Sequence, residues 1–548
     1  MAGINVISPN SEFELTLCKP NKLEIGTLST AKITSIKRVI DDIDSIEFEI
    51  SEILKDRFTR KNIENPLYNE IHEERLVWLN QSDFFVIKSI NEESGTVNKK
   101  IVSAVSLEQK LNRINIELED ISIVLIEEDV EDDQLAILGL LYTETGWKVG
   151  HIDEGVRFDI VNGEKRKKVR WQESISTTWY SLLTETLADI FACVVFFDTT
   201  NKIINIYSLD TLGENLGIYL SNDNYIKSIS KQTSTEEIVT RLSLKGKDEI
   251  NIRSVNPLGK DYVEDYSYFI DNNDMSEELV RALAKHTEIV EINQVEWEKL
   301  STSKGECENQ LTKLNSDFYV VCEEIKALMS IKKSYDQVGD TINGEKIQKE
   351  IDEKEKVKLD LESKIRDLQV SVLTINEQIQ IINTQMDRLY AEDENGNLIF
   401  SEELLNELNE FLYYDTYINT SYLTPADLME GGKREIRRRC KPSVEYNIDS
   451  VNFLSRVSNH TDMTFSGELN LGDVVILYDE KSDEEVFLYF VGYEYGVDEN
   501  TLSITLSTNK TKINNTKNIA DYLKKAKKTK DFVDSKSYIF NQVKYNKI

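Results

Sequence analysis

Apolar residues recur in alternating steps of four and three at Leu361, Ile365, Leu368, Val372, Ile375, Ile379, Ile382, Met386 and Leu389. These are a and d positions of a coiled coil, since a helix with this period gathers its apolar side chains into one narrow seam that only another helix can cover. An earlier stretch repeats the pattern less regularly at Trp297, Leu300, Lys304, Cys307, Leu311, Leu314, Phe318, Val321, Ile325 and Leu328. Tyr335 to Glu345, between the two, is short and contains Gly339, Asp340, Asn343 and Gly344, so the simplest arrangement is an antiparallel hairpin over about 288–390. Its expected interface is Trp297, Leu300, Leu311, Leu314, Phe318 and Ile325 against the nine second-arm positions from Leu361 to Leu389. At about 1.5 Å rise per residue the second seam is roughly 40 Å long.

The hairpin interrupts strand patterning. Alternation of polar and apolar residues in short runs, as at Ile46, Phe48 and Ile50 and again from Phe85 to Ile90, predicts a first small β-barrel over 1–115. Helical spacing from Asp133 to Glu144, a second helix from Ser176 to Phe191, and strands at Cys193–Phe197 and Lys202–Tyr207 around the turn Asp198-Thr199-Thr200-Asn201 predict an α/β domain over 116–220. Strand patterning resumes at Tyr225, breaks off after Phe269 and returns near Val444. Neither piece alone has enough strands for a stable sheet, so 221–272 and 442–512 are expected to form one discontinuous second barrel. The helical insertion then occupies 273–441, and 513–548 reads as a helical tail. The predicted fold class is α+β and multidomain: two small β-barrels, an α/β domain and an inserted helical domain with a long antiparallel coiled-coil hairpin. A chain of 548 residues is long enough for three or four cores of ordinary size.

Charge and composition narrow the function. Lys+Arg 65 against Asp+Glu 98 gives a net charge of −33, which disfavours tight adhesion to nucleic acid or to an anionic membrane. The basic runs Lys165 to Arg170, Arg437 to Arg439 and Lys524 to Lys530 lack the interleaved aromatics of a stacking platform and read as solvated faces. No apolar run approaches the roughly 20 residues of a membrane span. Five cysteines, Cys18, Cys193, Cys307, Cys322 and Cys440, are far apart and odd in number, and are expected to be reduced.

Motifs for chemistry are sparse. The four histidines, His72, His151, His286 and His460, fall into no zinc spacing, and neither a Cys440–His460 nor a Cys193–His151 pairing lies in a nucleophile signature. The sequence contains no phosphate-binding glycine loop, and paired carboxylates carry no information in a chain this acidic. AEDENGNLIFSE, Ala391 to Glu402, places Asp393, Asn395, Gly396 and Glu402 as in an EF-hand loop, but Ala391 stands at the first ligand position, which favours a plain turn. Trp147, Trp171 and Trp179 read as core rather than as a sugar platform. No catalytic residue, cofactor or metal site is expected.

Several stretches, in order, resemble the hub or tail-associated (Tal-like, "prophage endopeptidase tail") proteins of phages infecting Gram-positive bacteria. They are TGWKVGHID from Thr145, FFDTTNKIINIYSLDTLGENLGI from Phe196, IVTRLSLKGKDEINIRSVNPLGKDYVEDYSYF from Ile238 to Phe269, PSVEYNIDSVNFL from Pro442 and LNLGDVVI from Leu469. The resemblance implies a fold like the baseplate hub of contractile phages, made in the bacterial cytoplasm and built into the tail tip or baseplate of the virion. It implies a homotrimer that closes the tail tube and gates DNA, which passes without specific binding. The implied partners are the distal tail protein ring, the tail tube, the tape measure protein, and receptor-binding or lytic tail proteins. In that scheme two barrels in each of three chains meet a sixfold ring. A tail-associated cell-wall hydrolase and a host-binding adhesin are the alternative readings.

Overall fold

The computed structural model describes residues 3–5, 13–55, 61–126, 134–161, 164–221, 226–235, 238–338, 340–393, 395–451, 468–479, 484–496 and 501–510. The expected helical tail, His460 and the run Lys524 to Lys530 lie outside them. The chain divides into two compact units, Met1–Glu237 with Pro442–Ile548, and Ile238–Lys441.

The first unit corrects the expectation of two barrels. Strands of both β blocks belong to one open 13-stranded sheet. From one end the order is Ile226–Ser234, Ser443–Val451, Thr501–Ser507, Glu484–Gly496, Lys32–Val39, Ser45–Ser51, Lys99–Ser106, Asp83–Glu93, Leu76–Leu79, Leu15–Cys18 and Glu24–Thr27, and Val474–Asp479 with Asn215–Leu220 branches from Glu484–Gly496. The cause is the 13-residue strand Glu484–Gly496. Its first half pairs with Val474–Asp479, and its second half, from Gly492 to Gly496, pairs with Ser35 to Val39, so the edge that would close one block is taken by the other. A register shift falls between Phe490 and Gly492. A Cβ at Gly492 would stand 3.1 Å from Val39 Cγ2, so glycine lets the two backbones meet there.

Alternation within the strands decides which side chains are buried. Ile46, Phe48 and Ile50 lie opposite Ala104, Val102 and Lys100, and all six are buried. The Lys100 amine donates to the carbonyls of Tyr68 and Ile71, which accounts for a buried lysine. A second core gathers Ile448, Leu477, Leu488, Phe490, Ile504 and Leu506.

The region between these blocks has a three-stranded sheet in which Ile203–Ser208 runs parallel to Lys148–Ile152 and antiparallel to Cys193–Asp198. Helix Ile137–Thr145 ends at Gly146, whose φ of 71° is the left-handed cap that glycine accepts without strain. Val169–Thr178 continues as a strand against Asn115–Val124, so the helical run to Phe191 opens only at Trp179. Trp147 and Trp179 are buried, and the Trp179 indole donates to Glu144.

In the second unit Arg241–Lys245 pairs antiparallel with Tyr262–Glu264 and parallel with Tyr414–Ile418. Helix Pro425–Arg439 lies close on this sheet because Gly432 leaves room: a Cβ there would fall 2.1 Å from Leu244 Cδ1. The rest of the unit is dominated by two long helices, Glu277–Val338 and Thr341–Met386.

Candidate functional site

The hairpin is the element with the most distinct geometry. No proline occurs between Pro257 and Pro425, so nothing interrupts helices of 62 and 46 residues, about 93 and 69 Å at 1.5 Å per residue. The reversal is tighter than the sequence suggests. The first helix runs through Val338, and the second starts at Thr341 with the Asp340 side chain accepting from the Asn343 amide as its N-cap. Cross-helix contacts retreat symmetrically from that turn, from Lys332 with Gln348, to Glu324 with Lys354, to Trp297 with Ile382. That order is antiparallel.

Of the expected interface, Trp297, Ile325, Leu361, Ile382 and Met386 are buried. Leu300, Leu311, Leu314, Phe318, Ile365, Leu368, Val372, Ile375 and Ile379 are partly buried, and Leu389 is exposed, three residues past the helix end. Near the turn Val321, Ile325, Ile351 and Leu361 cluster, and near the root Trp297 packs with Ile382 and Met386.

The root is held by charge. Glu264, at the end of Tyr262–Glu264, receives Arg241 at 2.6 Å and Arg388 at 2.7 Å, with the Tyr266 hydroxyl donating at 3.0 Å. Burial alone would raise this carboxyl, but Arg388 and Arg241 hold it below its ordinary value. Lys260 pairs with Asp387 at 2.8 Å. His286 is buried and its pKa is lowered, chiefly by burial, so it is neutral near pH 7 and donates from Nε2 to the Met386 carbonyl at 2.8 Å. The two residues that follow the second helix are therefore tied to the strand region, and the first helix is tied to the end of the second. Sequence reasoning missed this root. Its one local signal is the pair Asp387-Arg388 directly after the last buried seam residue.

A second polar cluster lies where the two β blocks join. Arg38, opposite Tyr493, contacts Asp44 at 3.4 Å and Asp83 at 2.8 Å, and the Ser106 hydroxyl donates to the nearby Glu108. Burial, and then the Asp44 charge, pushes Glu108 up to about 8, and burial pushes Asp44 up to about 6.

The other sequence candidates are occupied elsewhere. His151 pairs with Asp153 at 2.6 Å, and Cys193 is buried with its thiol pushed up by desolvation. Asp393 accepts from the amides of Asn395 and Asn397, an arrangement internal to its own turn. Lys168 and Arg170 are buried donors to the carbonyls of Gly155 and Ile190, while Arg438 pairs with Glu435 and Arg439 with Asp415. Among the described residues no group of three or more His, Cys, Asp or Glu is placed to hold a metal ion, and no helix is long and apolar enough to cross a membrane.

The sequence model of a family described as YOMG N-terminal domain matches residues 17–104. Over 527 residues, 92% of this chain, the sequence is 24% identical to the SPbeta prophage-derived uncharacterized protein YomG of Bacillus subtilis (strain 168), and the match spans 56% of that relative's length. Among solved structures, a prophage tail protein gp18 from Listeria monocytogenes EGD-e aligns over 91% of this chain and 95% of that one, at 11% identity and a TM-score of 0.43. A 43 kDa tail protein of prophage MuSo2 from Shewanella oneidensis aligns over 91% and 99%, at 10% identity and 0.43. The chain is thus similar along nearly its whole length to a prophage-derived protein.

Proposed function

We propose that this chain is a structural component of a bacteriophage or prophage tail, a homotrimeric hub at the tail tip that closes the tube until DNA is released. The observation that carries the proposal is the similarity to a prophage-derived protein over 92% of the chain. The ordered stretches from Thr145 to Ile476, which resemble tail hub proteins, support the same reading. In this account the distal tail protein ring and the tail tube meet the large sheet of the first unit, with the tape measure protein and receptor-binding or lytic proteins as further neighbours. The symmetry match cannot rest on two closed barrels, because the blocks share one open sheet. What each protomer offers a sixfold ring is instead two halves of that sheet, on either side of the Arg38–Tyr493 pairing.

The hairpin fits a mechanical role. A lever of two helices is stiff along its length, and its root of buried charge is costly to break, so a push at the turn is transmitted to the sheet Arg241–Lys245 rather than absorbed. The test is mass photometry of the purified chain, alone and with the distal tail protein. A trimer in either sample supports the hub, and a monomer in both overturns it.

A further inference from the structure

The outward side of the branch Asn215–Leu220, Val474–Asp479 and Glu484–Gly496 presents an apolar face. In one cross-strand row Tyr219 lies opposite Ile476 and Ile476 opposite Phe487, and Tyr219 and Phe487 are 40% and 58% exposed. Val474 and Tyr489 form the next row, and Tyr478 stacks on Tyr219 at 6.4 Å. The inward residues of the same strands, Leu220, Val475, Leu477, Leu488 and Phe490, are in the core, so this face is the sheet's second side. Asp210, Glu214 and Glu485 stand exposed around it.

The chain itself is delivered to this place. Lys510, the last residue before 511–548, donates to the Leu209 carbonyl and sits 5.2 Å above the Tyr489 ring. The 38 residues that follow contain ten lysines against three aspartates, with no glutamate or arginine, in a chain whose net charge is −33. Ile513 and Ile519 come early in that segment, and Phe487 is only two strand residues, roughly 7 Å, beyond Tyr489. Leaving such a face open is unfavourable, and a basic, apolar-bearing segment of the same chain begins at its edge.

We infer that residues 511–548 dock in cis on this face, with apolar side chains from Ile513 onward covering Phe487 and Tyr219 and the lysines set against the acidic rim. Tethering makes the contact effectively intramolecular, so a modest interface suffices. The inference does not depend on the tail reading, because its test uses the isolated chain.

The photo-crosslinking amino acid p-benzoylphenylalanine is placed at position 487 of the full chain, and a mixture of isotopically heavy and light protein is irradiated. Crosslinks to peptides of 511–548 within one chain, in a yield independent of concentration, are expected. Crosslinks to a second copy, to another part of the chain, or to nothing overturn the inference. As a second measurement, Phe487→Ser together with Tyr219→Ser should speed tryptic cleavage after the lysines of 511–548 by at least tenfold, with the rest of the chain cut as before. An unchanged cleavage rate overturns it equally.

Discussion

The guanidinium of Arg388 lies 2.7 Å from the carboxylate of Glu264, across 124 residues of sequence, and both side chains are largely shielded from water. The contact joins the end of the long hairpin to the strand beside which the hairpin begins. Removing either partner leaves a charge with too little compensation in a low-dielectric setting. Glu264→Ala and Arg388→Ala should each destabilise the second unit by about 3–5 kcal/mol, measured by urea unfolding. A loss within 0.5 kcal/mol for both would mean that the root is not held in this way.

The same carboxyl gives a pH dependence of stated sign. Its folded pKa lies below the unfolded value, so the stabilisation is present above the unfolded pKa and is lost as pH falls through the folded one. Stability of wild type relative to Glu264→Gln should therefore shrink on acidification below about pH 4.5, the ordinary carboxyl value. A gap that widened on acidification would contradict the assignment.

Glu108 behaves in the opposite sense. Its carboxyl is pushed up to about 8 from an ordinary 4.5, so the folded chain holds a proton that the unfolded chain has released. Its contribution falls as pH rises from about 4.5 to about 8 and is flat above. Glu108→Gln, which keeps the neutral shape, should match wild type near pH 4.5 and exceed it above pH 8 by a few kcal/mol, because each tenfold difference in proton affinity between the folded and unfolded chain is worth about 1.4 kcal/mol. Parallel stability curves for the two proteins would show that Glu108 is already ionised.

Two glycines of the second unit should respond in opposite directions. A Cβ at Gly432 meets Leu244, and overpacking of this kind costs about 1–3 kcal/mol, so Gly432→Ala should lower the unfolding midpoint. Gly305 lies inside the first long helix with open space around it, and Gly305→Ala should stabilise by up to about 1 kcal/mol.

Ile375 and Ile379, two positions of the proposed seam, are partly buried, and Ile379 packs against the cluster of Trp297, Ile382 and Met386. Replacing both by Asp places two charges there, and circular dichroism at 222 nm should show loss of hairpin helicity at a temperature that wild type withstands, with several kcal/mol lost. Full retention of helicity would mean that the seam runs elsewhere.

The two long antiparallel helices are legible in the heptad steps because a helical period survives whatever the helix packs against, and a short connection leaves few geometries. The strands are legible too, since Ile46, Phe48 and Ile50 alternate against polar neighbours. Closure is not. Alternation reveals which face of a strand is buried but nothing about which strand takes its free edge, and the pairing of Gly492–Gly496 with Ser35–Val39 joins positions more than 450 residues apart. Sequence reading turned each block in on itself where the structure joins them. The root of the hairpin was hidden for a related reason. Arg241, Glu264 and Arg388 look like ordinary surface charges in a chain that is 30% charged, and only the fold removes them from water.

The central claim, a hub at the tip of a phage tail, is tested most directly by locating and counting the chain in purified tail particles. Cryo-electron microscopy of intact tails, with quantitative mass spectrometry of the same preparation, should place three copies per tail in contact with the distal tail protein ring. Tails that lack the chain, or that carry it in six or more copies along the tube, would contradict the account.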